Sequence, residues 1–102
     1  MQEYKMFIGG KWCAADSGKT MVTVNPTTGE DLAVVPMAGK SDVDKAVKAA
    51  RAAFPAWSKL KQAERSAMLN KVAAVIRENA HELAMCEVLE HGTPYYDAFG
   101  VV

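Results

Sequence analysis

The sequence predicts an α+β fold in which a small antiparallel sheet of three or four strands, within residues 1–38, precedes three or four helices within residues 39–102. Three observations support this prediction. Turn residues separate short extended runs in the first part, the spacing of apolar residues changes from two to about 3.6 after Ser41, and half of the 102 residues are hydrophobic. With 24 % charged residues, this composition is typical of a packed domain and too apolar for a disordered chain.

The first two strands are predicted to form a hairpin. Met6–Ile8 and Lys11–Cys13 flank Gly9-Gly10, and two glycines tolerate the positive φ angles that two-residue hairpin turns require. The hairpin is followed by a turn-forming stretch, residues 16–19, which breaks the chain before the next extended run.

Two further strands are predicted on either side of a tight loop. Thr20–Val24 is rich in β-branched residues, and Asp31–Val35 is a second apolar run that ends at Pro36. Between them, residues 25–30 read Asn-Pro-Thr-Thr-Gly-Glu, in which the proline fixes its φ and Gly29 tolerates a left-handed conformation. Some edges of such a small sheet remain unpaired, so we expect other polypeptide to lie against it.

The first helix is predicted from a change of period. Ser41 is a suitable N-cap, Asp42 and Asp44 place negative charge at the positive end of the helix dipole, and Pro55 is expected to end the helix near Ala53 or Phe54. The residues of its apolar stripe are Val43, Ala46, Val47, Ala50, Phe54 and Trp57.

Three more helices are predicted from their start and stop signals. The second runs from about Gln62 to Glu78, and Asn79 caps a third in capping-box spacing with Glu82. Gly92 is its left-handed stop, and Thr93-Pro94 begins a fourth helix, which we expect the end of the sequence to cut through. The predicted inner residues are Leu69, Val72, Ala73 and Ile76 in the second helix and Leu83, Ala84, Val88 and Leu89 in the third.

Composition excludes several classes of function. Twelve basic and twelve acidic residues cancel without a run of like charges, so neither a nucleic-acid-binding nor a membrane-binding surface is expected. No segment has the length of a signal peptide or a membrane span, which predicts a cytoplasmic protein. Cys13 and Cys86 lie far apart in different elements and are predicted to be inert thiols without a disulfide.

Some short motifs suggest a phosphate-binding loop or a metal site, but their spacing does not match that of such sites. Gly39-Lys40-Ser41 and Gly18-Lys19-Thr20 resemble phosphate loops, but neither has the second glycine that such a loop needs. His81, Met85, Cys86 and Glu82 share part of a helix without completing a metal-binding set, and the predicted role of Met85 and Cys86 is packing. No serine or cysteine has a recognisable base partner, so no catalytic residue is assigned.

The order of fragments along residues 7–98 resembles the amino-terminal stretch of the NAD(P)-dependent aldehyde dehydrogenase superfamily. The fragments are Phe7–Trp12, Ser17–Thr20, Val24–Glu30, Ala46–Trp57, Ala63–Arg65 and Glu87–Pro94. The resemblance implies that the chain is the leading part of the coenzyme-binding domain, packed against a Rossmann-like core. It also implies that the catalytic and oligomerisation parts are absent.

The resemblance implies a function for the whole enzyme and none for these residues alone. A cysteine thiolate would attack an aldehyde, hydride would pass to NAD or NADP, and water would hydrolyse the thioester with the help of a glutamate. In the family these groups come later in the chain, so no catalytic or coenzyme-binding residue is expected here. Relatives form homodimers or homotetramers, and the segment by itself is expected to be inactive.

The resemblance also implies a structural monovalent cation, Na⁺ or K⁺, in some members. Its ligands would match the backbone carbonyls of Thr23 and Val24 and the carboxylate of Glu90. Hard oxygen ligands suit such an ion. This chain departs from the family pattern at Glu90, His91 and Thr93, and the alternative for Glu90 is a solvated charge near a helix end.

The alternative function belongs to another class of protein. A free-standing α+β interaction module would dock a partner on the apolar faces of its helices. Such a module requires a monodisperse fold with little exposed apolar surface, whereas an enzyme segment without its covering domain is expected to expose such surface.

Overall fold

The computed structural model describes residues 1–101. Its elements are β1 (Gln2–Glu3), β2 (Met6–Ile8), β3 (Lys11–Cys13), β4 (Thr20–Val24), β5 (Asp31–Pro36), α1 (Lys40–Lys59), α2 (Gln62–Glu78), α3 (Ala80–His91) and α4 (Tyr95–Val101). Four helices and small sheets confirm the predicted α+β class. The chain divides into two compact units, one made of residues 1–23 and 31–59 and the other of residues 24–30 and the stretch from Leu60 onward.

The strands form two sheets, where the sequence had suggested a single antiparallel one. One has the order β1-β5-β4, and the hairpin of β2 and β3 forms the other. β1 runs parallel to β5, with Gln2 opposite Ala33 and Glu3 opposite Val34. β1 was missed because two polar residues carry no alternating pattern; the edge of β5 supplies its hydrogen-bonding partners. β4 and β5 are antiparallel, since their connection is too short for a parallel crossover.

The β2–β3 hairpin has the predicted turn. Met6 pairs with Cys13 and Ile8 with Lys11, and both glycines of the turn have positive φ, 59° and 80°. A turn of type I′ requires a positive φ at both central positions. On one face the rings of Phe7 and Trp12 lie 4.9 Å apart, a cross-strand aromatic pair that stabilises the register.

α1 begins and ends differently from the prediction. The carbonyl of Gly39 accepts the first helical bond, from the amide of Val43, and the hydroxyl of Ser41 bonds to Asp16 instead of capping the helix. The predicted end near Ala53 or Phe54 is wrong, because α1 passes through Pro55 and ends at Lys59. A proline removes only one amide donor, so the helix can continue beyond it at a local cost.

The remaining helices follow their predicted boundaries closely. α2 and α3 break at Asn79, as expected, but the Asn79 side-chain amide donates to the carbonyl of Val75 at 2.8 Å, and the predicted capping box with Glu82 does not form. Gly92 ends α3 in the left-handed conformation, as predicted. α4 starts one residue later than expected, because the carbonyl of Pro94 accepts its first helical bond.

Each unit buries small side chains and leaves the large ones exposed. The buried hydrophobic residues among positions 1–101 are Ala15, Ala33, Ala84 and Ala98. The predicted apolar stripes of α1 and α2 are largely exposed, including Val43, Val47, Phe54, Trp57, Leu69, Val72 and Ile76. The amphipathic pattern was therefore identified correctly, but the described residues do not cover these faces. Contiguous apolar surface of this kind is typical of an interface.

Gly92→Ala should destabilise the fold more than Gly100→Ala. Gly92 has a φ of 80°, and a Cβ there would meet Thr27 Oγ1 at 3.3 Å. The left-handed conformation alone costs a residue other than glycine roughly 1–2 kcal/mol. Gly100 lies within α4, and a Cβ there meets nothing within 4 Å, so alanine should add about 0.5–1 kcal/mol of stability. Urea unfolding followed by circular dichroism tests both, and equal effects would contradict this account of Gly92.

Candidate functional site

The loop that joins β4 to β5 is built around Asn25. The Asn25 side-chain oxygen accepts hydrogen bonds from the amides of Thr27 at 2.9 Å and Thr28 at 3.3 Å. The backbone closes the loop as well, because the amide of Asn25 donates to the carbonyl of Glu30 and the amide of Gly29 donates to that of Asn25. Gly29 has a φ of 76°, which confirms its predicted left-handed role. The loop is therefore rigidly defined by its own short sequence.

This loop lies against the end of α3 within the second unit. Gly92 approaches the side chains of Thr27 and Pro26 so closely that a Cβ there would stand 3.3 Å and 3.5 Å from them. Val24 immediately precedes the loop, and Glu90 lies two residues before Gly92. Two of the three residues predicted to bind a cation therefore flank the contact between the loop and α3.

The third predicted residue, Thr23, belongs to the first unit. Its hydroxyl donates a hydrogen bond to the carbonyl of Ala33 at 3.4 Å. Across residues 1–101, no group of three or more histidine, cysteine, aspartate or glutamate side chains is placed to hold a metal ion. The cation site formed by Thr23, Val24 and Glu90 stays a prediction.

The first unit contains a polar cluster that the sequence pattern did not reveal. Asp42, only 3 % exposed, accepts hydrogen bonds from the amide of Asp16 at 3.0 Å and from the amide of Gly39 at 2.8 Å. The carboxylate of Asp16 in turn accepts from Ser41 at 2.8 Å and from Lys45 at 2.7 Å. We call Asp16, Ser41, Asp42 and Lys45 the Asp42 network; it ties the turn after β3 to the start of α1.

Electrostatics reinforce the outer part of the Asp42 network. Hydrogen bonds from Lys45 and Ser41 lower the pKa of the Asp16 carboxyl below its usual 3.8, and the bond to Asp16 raises the pKa of Lys45 above its usual 10.5. The contribution of Asp16 to stability is present above pH 3.8 and is lost as the pH falls through its lowered pKa. The contribution of Lys45 to stability is present below pH 10.5 and is lost as the pH rises through its raised pKa. Both side chains are exposed, so solvent and salt screen the pair.

The structure explains why the candidate phosphate loop at Gly39-Lys40-Ser41 is a helix start. The amide of Gly39, one of the donors that a phosphate would need, is already occupied by the carboxylate of Asp42. Within residues 1–101, no helix is both long enough and apolar enough to cross a bilayer.

The histidines and cysteines take part in local contacts. Nδ1 of His81 lies 2.9 Å from the hydroxyl of Tyr95, and Nδ1 of His91 lies 2.6 Å from that of Thr93. Both cysteines are free, as predicted, but Cys86 is exposed, so the prediction that it packs in or near the core is wrong. The reason is that the face of α3 carrying Cys86 borders an open groove.

The similarities of this chain to known proteins, in sequence and in structure, agree with one another. Residues 12–102 match the model of the aldehyde dehydrogenase family. A malonate-semialdehyde dehydrogenase of Halalkalibacterium halodurans is 44 % identical over 101 residues, which cover 99 % of this chain and 21 % of that protein. Aldehyde dehydrogenase [NAD(P)+] 1 of Saccharomyces cerevisiae is 44 % identical over 96 residues, 93 % of this chain and 19 % of that protein.

The fold agrees with the sequence matches. The crystal structure of an NAD-dependent aldehyde dehydrogenase from Sinorhizobium meliloti superposes with a TM-score of 0.91 at 44 % identity, covering 96 % of this chain and 20 % of that one. The chain thus spans about a fifth of the length of the proteins it matches. A free-standing interaction module is not favoured by these matches.

Asp42→Ala should weaken the first unit more than Asp44→Ala. Removing the Asp42 carboxylate leaves the amides of Asp16 and Gly39 without their acceptor, which costs about 1–3 kcal/mol. Asp44 is exposed and only pairs with Lys40 on the helix surface, which contributes about 0–1 kcal/mol. Urea unfolding at neutral pH measures both. A loss on Asp42→Ala no larger than that on Asp44→Ala would show that the network does not hold the turn to α1.

Proposed function

The chain belongs to the aldehyde dehydrogenase family, and on that premise we propose that it forms the leading portion of an NAD(P)-dependent aldehyde dehydrogenase. In fold it is part of the NAD-binding domain of these enzymes. The observation that carries the proposal is a match of nearly the whole chain, in sequence and in fold, to about a fifth of each relative.

The proposed reaction of the full-length protein is oxidation of an aldehyde to a carboxylic acid. A cysteine thiolate outside residues 1–102 adds to the aldehyde carbon to form a thiohemiacetal, which becomes a thioester when it loses hydride. Water then cleaves the thioester to release the acid and restore the thiol. A nicotinamide coenzyme, NAD or NADP, supplies the hydride acceptor when bound. Cys13 and Cys86 are not assigned to this reaction, because no base is hydrogen-bonded to either thiol among the described residues.

The role proposed for residues 1–102 is structural. Their helices carry exposed stripes of large apolar side chains, such as Val47 and Phe54 on α1 and Leu69 and Val72 on α2. Covering such side chains contributes about 25 cal/mol for each Å² of apolar surface removed from water. These exposed faces support the proposal that residues 1–102 pack against the rest of the coenzyme-binding domain in the full-length enzyme. We further propose a cytoplasmic homodimer or homotetramer, on the family resemblance alone.

We also propose that the full-length protein holds a structural Na⁺ or K⁺ through the carbonyls of Thr23 and Val24 and the carboxylate of Glu90. The chemistry of the donors supports this, since all three are oxygen ligands suited to a hard cation. The loop after Val24 and its contact with Gly92 support it as well, because they fix the backbone that follows two of the three ligands, Val24 and Glu90.

Residues 1–102 should replace the matching stretch of the S. meliloti enzyme without loss of its chemistry. We expect this chimera to reduce NAD⁺ only when an aldehyde is present, because the catalytic groups come from the remainder of the relative. Residues 1–102 alone should give no reduction, and neither should the S. meliloti enzyme without that stretch. A folded chimera without activity, or residues 1–102 behaving as a monodisperse monomer with little dye binding, would contradict the proposal.

The cation proposal predicts that K⁺ or Na⁺ raises the melting temperature of the chimera relative to tetramethylammonium at equal ionic strength. A ligand at a hundred times its dissociation constant adds about 2.7 kcal/mol to the stability of the native state. Glu90→Gln should remove this increment, whereas Glu78→Gln, an exposed glutamate at the end of α2, should keep it. An increment that survives Glu90→Gln would rule Glu90 out as a ligand.

A further inference from the structure

α1 presents an exposed apolar stripe with basic residues along one side. Val43, Val47 and Phe54 are 54 %, 49 % and 65 % exposed, although side chains of this size are stabilised by burial. Lys48 and Arg51 line the same shallow hollow as Val47, and neither forms a salt bridge within residues 1–101. The helix as a whole carries five basic and two acidic residues, a net charge of +3. We call this surface the α1 face.

α3 presents apolar residues beside the opposite charge. Leu83, which is 40 % exposed, lines an open hollow together with Ile76 of α2, and the exposed side chains of Glu87 and Glu90 line the same hollow. In the part of the chain that the structure describes, neither carboxylate forms a salt bridge. α3 carries three acidic residues and no lysine or arginine, a net charge of −3 with neutral histidines. We call this surface the α3 groove.

The α1 face and the α3 groove match in spacing as well as in charge. Lys48 and Arg51 stand three positions apart on α1, and Glu87 and Glu90 stand three positions apart on α3. Residues at this spacing lie on the same side of a helix, about 4.5 Å apart along its axis. An α1 face laid against an α3 groove therefore brings two pairs of opposite charges together while the apolar residues beside them are covered.

We propose that two copies of this chain associate by placing the α1 face of one copy in the α3 groove of the other. A second copy is the partner because one sequence supplies both the basic and the acidic surface. In a pair related by two-fold symmetry the contact forms twice, which closes the dimer and prevents growth into larger assemblies. The inference goes beyond the proposed function, because it concerns the chain of 102 residues by itself. In the proposed full-length enzyme, the rest of the coenzyme-binding domain covers part of the same α1 stripe.

Sedimentation equilibrium of residues 1–102 tests this inference. We expect a dimer at about 20 mM tetramethylammonium chloride and a dissociation constant roughly tenfold larger at about 500 mM, because salt screens the exposed charge pairs. Tetramethylammonium keeps Na⁺ and K⁺ away from Glu90, so the proposed cation site does not affect the result. A monomer, or aggregates whose size does not respond to salt, would overturn the inference.

Charge exchange between the two surfaces is the sharper test. Arg51→Glu and Glu87→Arg should each weaken self-association roughly tenfold, because like charges then meet at both contacts of the dimer. When the two variants are mixed, both contacts again pair opposite charges, so a mixed dimer should form about as tightly as the unchanged one. Lys71→Glu and Glu78→Arg, at exposed positions of α2 outside both surfaces, are the matched controls and should leave self-association unchanged.

The outcomes of this test are separate from those of the S. meliloti chimera. Arg51→Glu or Glu87→Arg variants that self-associate as tightly as the unchanged chain, or a mixture of the two that forms no dimer, would overturn the inference. An active chimera beside such a result leaves the enzyme assignment standing. A salt-sensitive dimer that the mixed variants restore, beside a folded but inactive chimera, would support the inference and reject the assignment.

Discussion

The exposed apolar surface of the helices is the constraint on which the rest of this structure depends. The described residues bury four alanines and one aspartate, but none of their large side chains is fully buried. Small side chains allow close approach of the backbone and contribute little hydrophobic free energy, so local hydrogen bonds have to define much of the geometry. The Asp42 network and the Asn25 loop are the two clearest cases. Each fixes backbone geometry with specific donors and acceptors.

α1 and α2 begin with the same type of capping interaction. In each helix a carboxylate at the third position accepts a hydrogen bond from the amide three residues earlier: Asp42 from Gly39 and Glu64 from Lys61, both at 2.8 Å. This satisfies one of the amides that a helix start leaves without a partner, and it places negative charge at the positive end of the dipole. At Asp42 the carboxylate also reaches the turn after β3, so there a capping interaction doubles as a tertiary contact.

Local signals predicted the elements well, and contacts between distant residues account for the differences. The boundaries at Asn79 and Gly92 depend on neighbouring residues only, and the structure places them where the sequence did. The partner of Ser41 is Asp16, 25 positions away, and no pattern around Ser41 reveals it. β1 is found only when β5 is seen beside it. Among the candidate site residues, sequence identified the loop around Asn25 from its turn chemistry, whereas the burial of Asp42 requires the fold.

The exposed tryptophans have a spectroscopic consequence. Trp12, paired with Phe7 on the hairpin, is 69 % exposed, and Trp57 near the end of α1 is 39 % exposed. Indole emission shifts to shorter wavelength when water around the ring is replaced by protein. The two rings stand in different elements, and together they form an intrinsic fluorescent reporter. A change in their emission on addition of other polypeptide would show that at least one of these surfaces becomes covered, without any label attached to the chain.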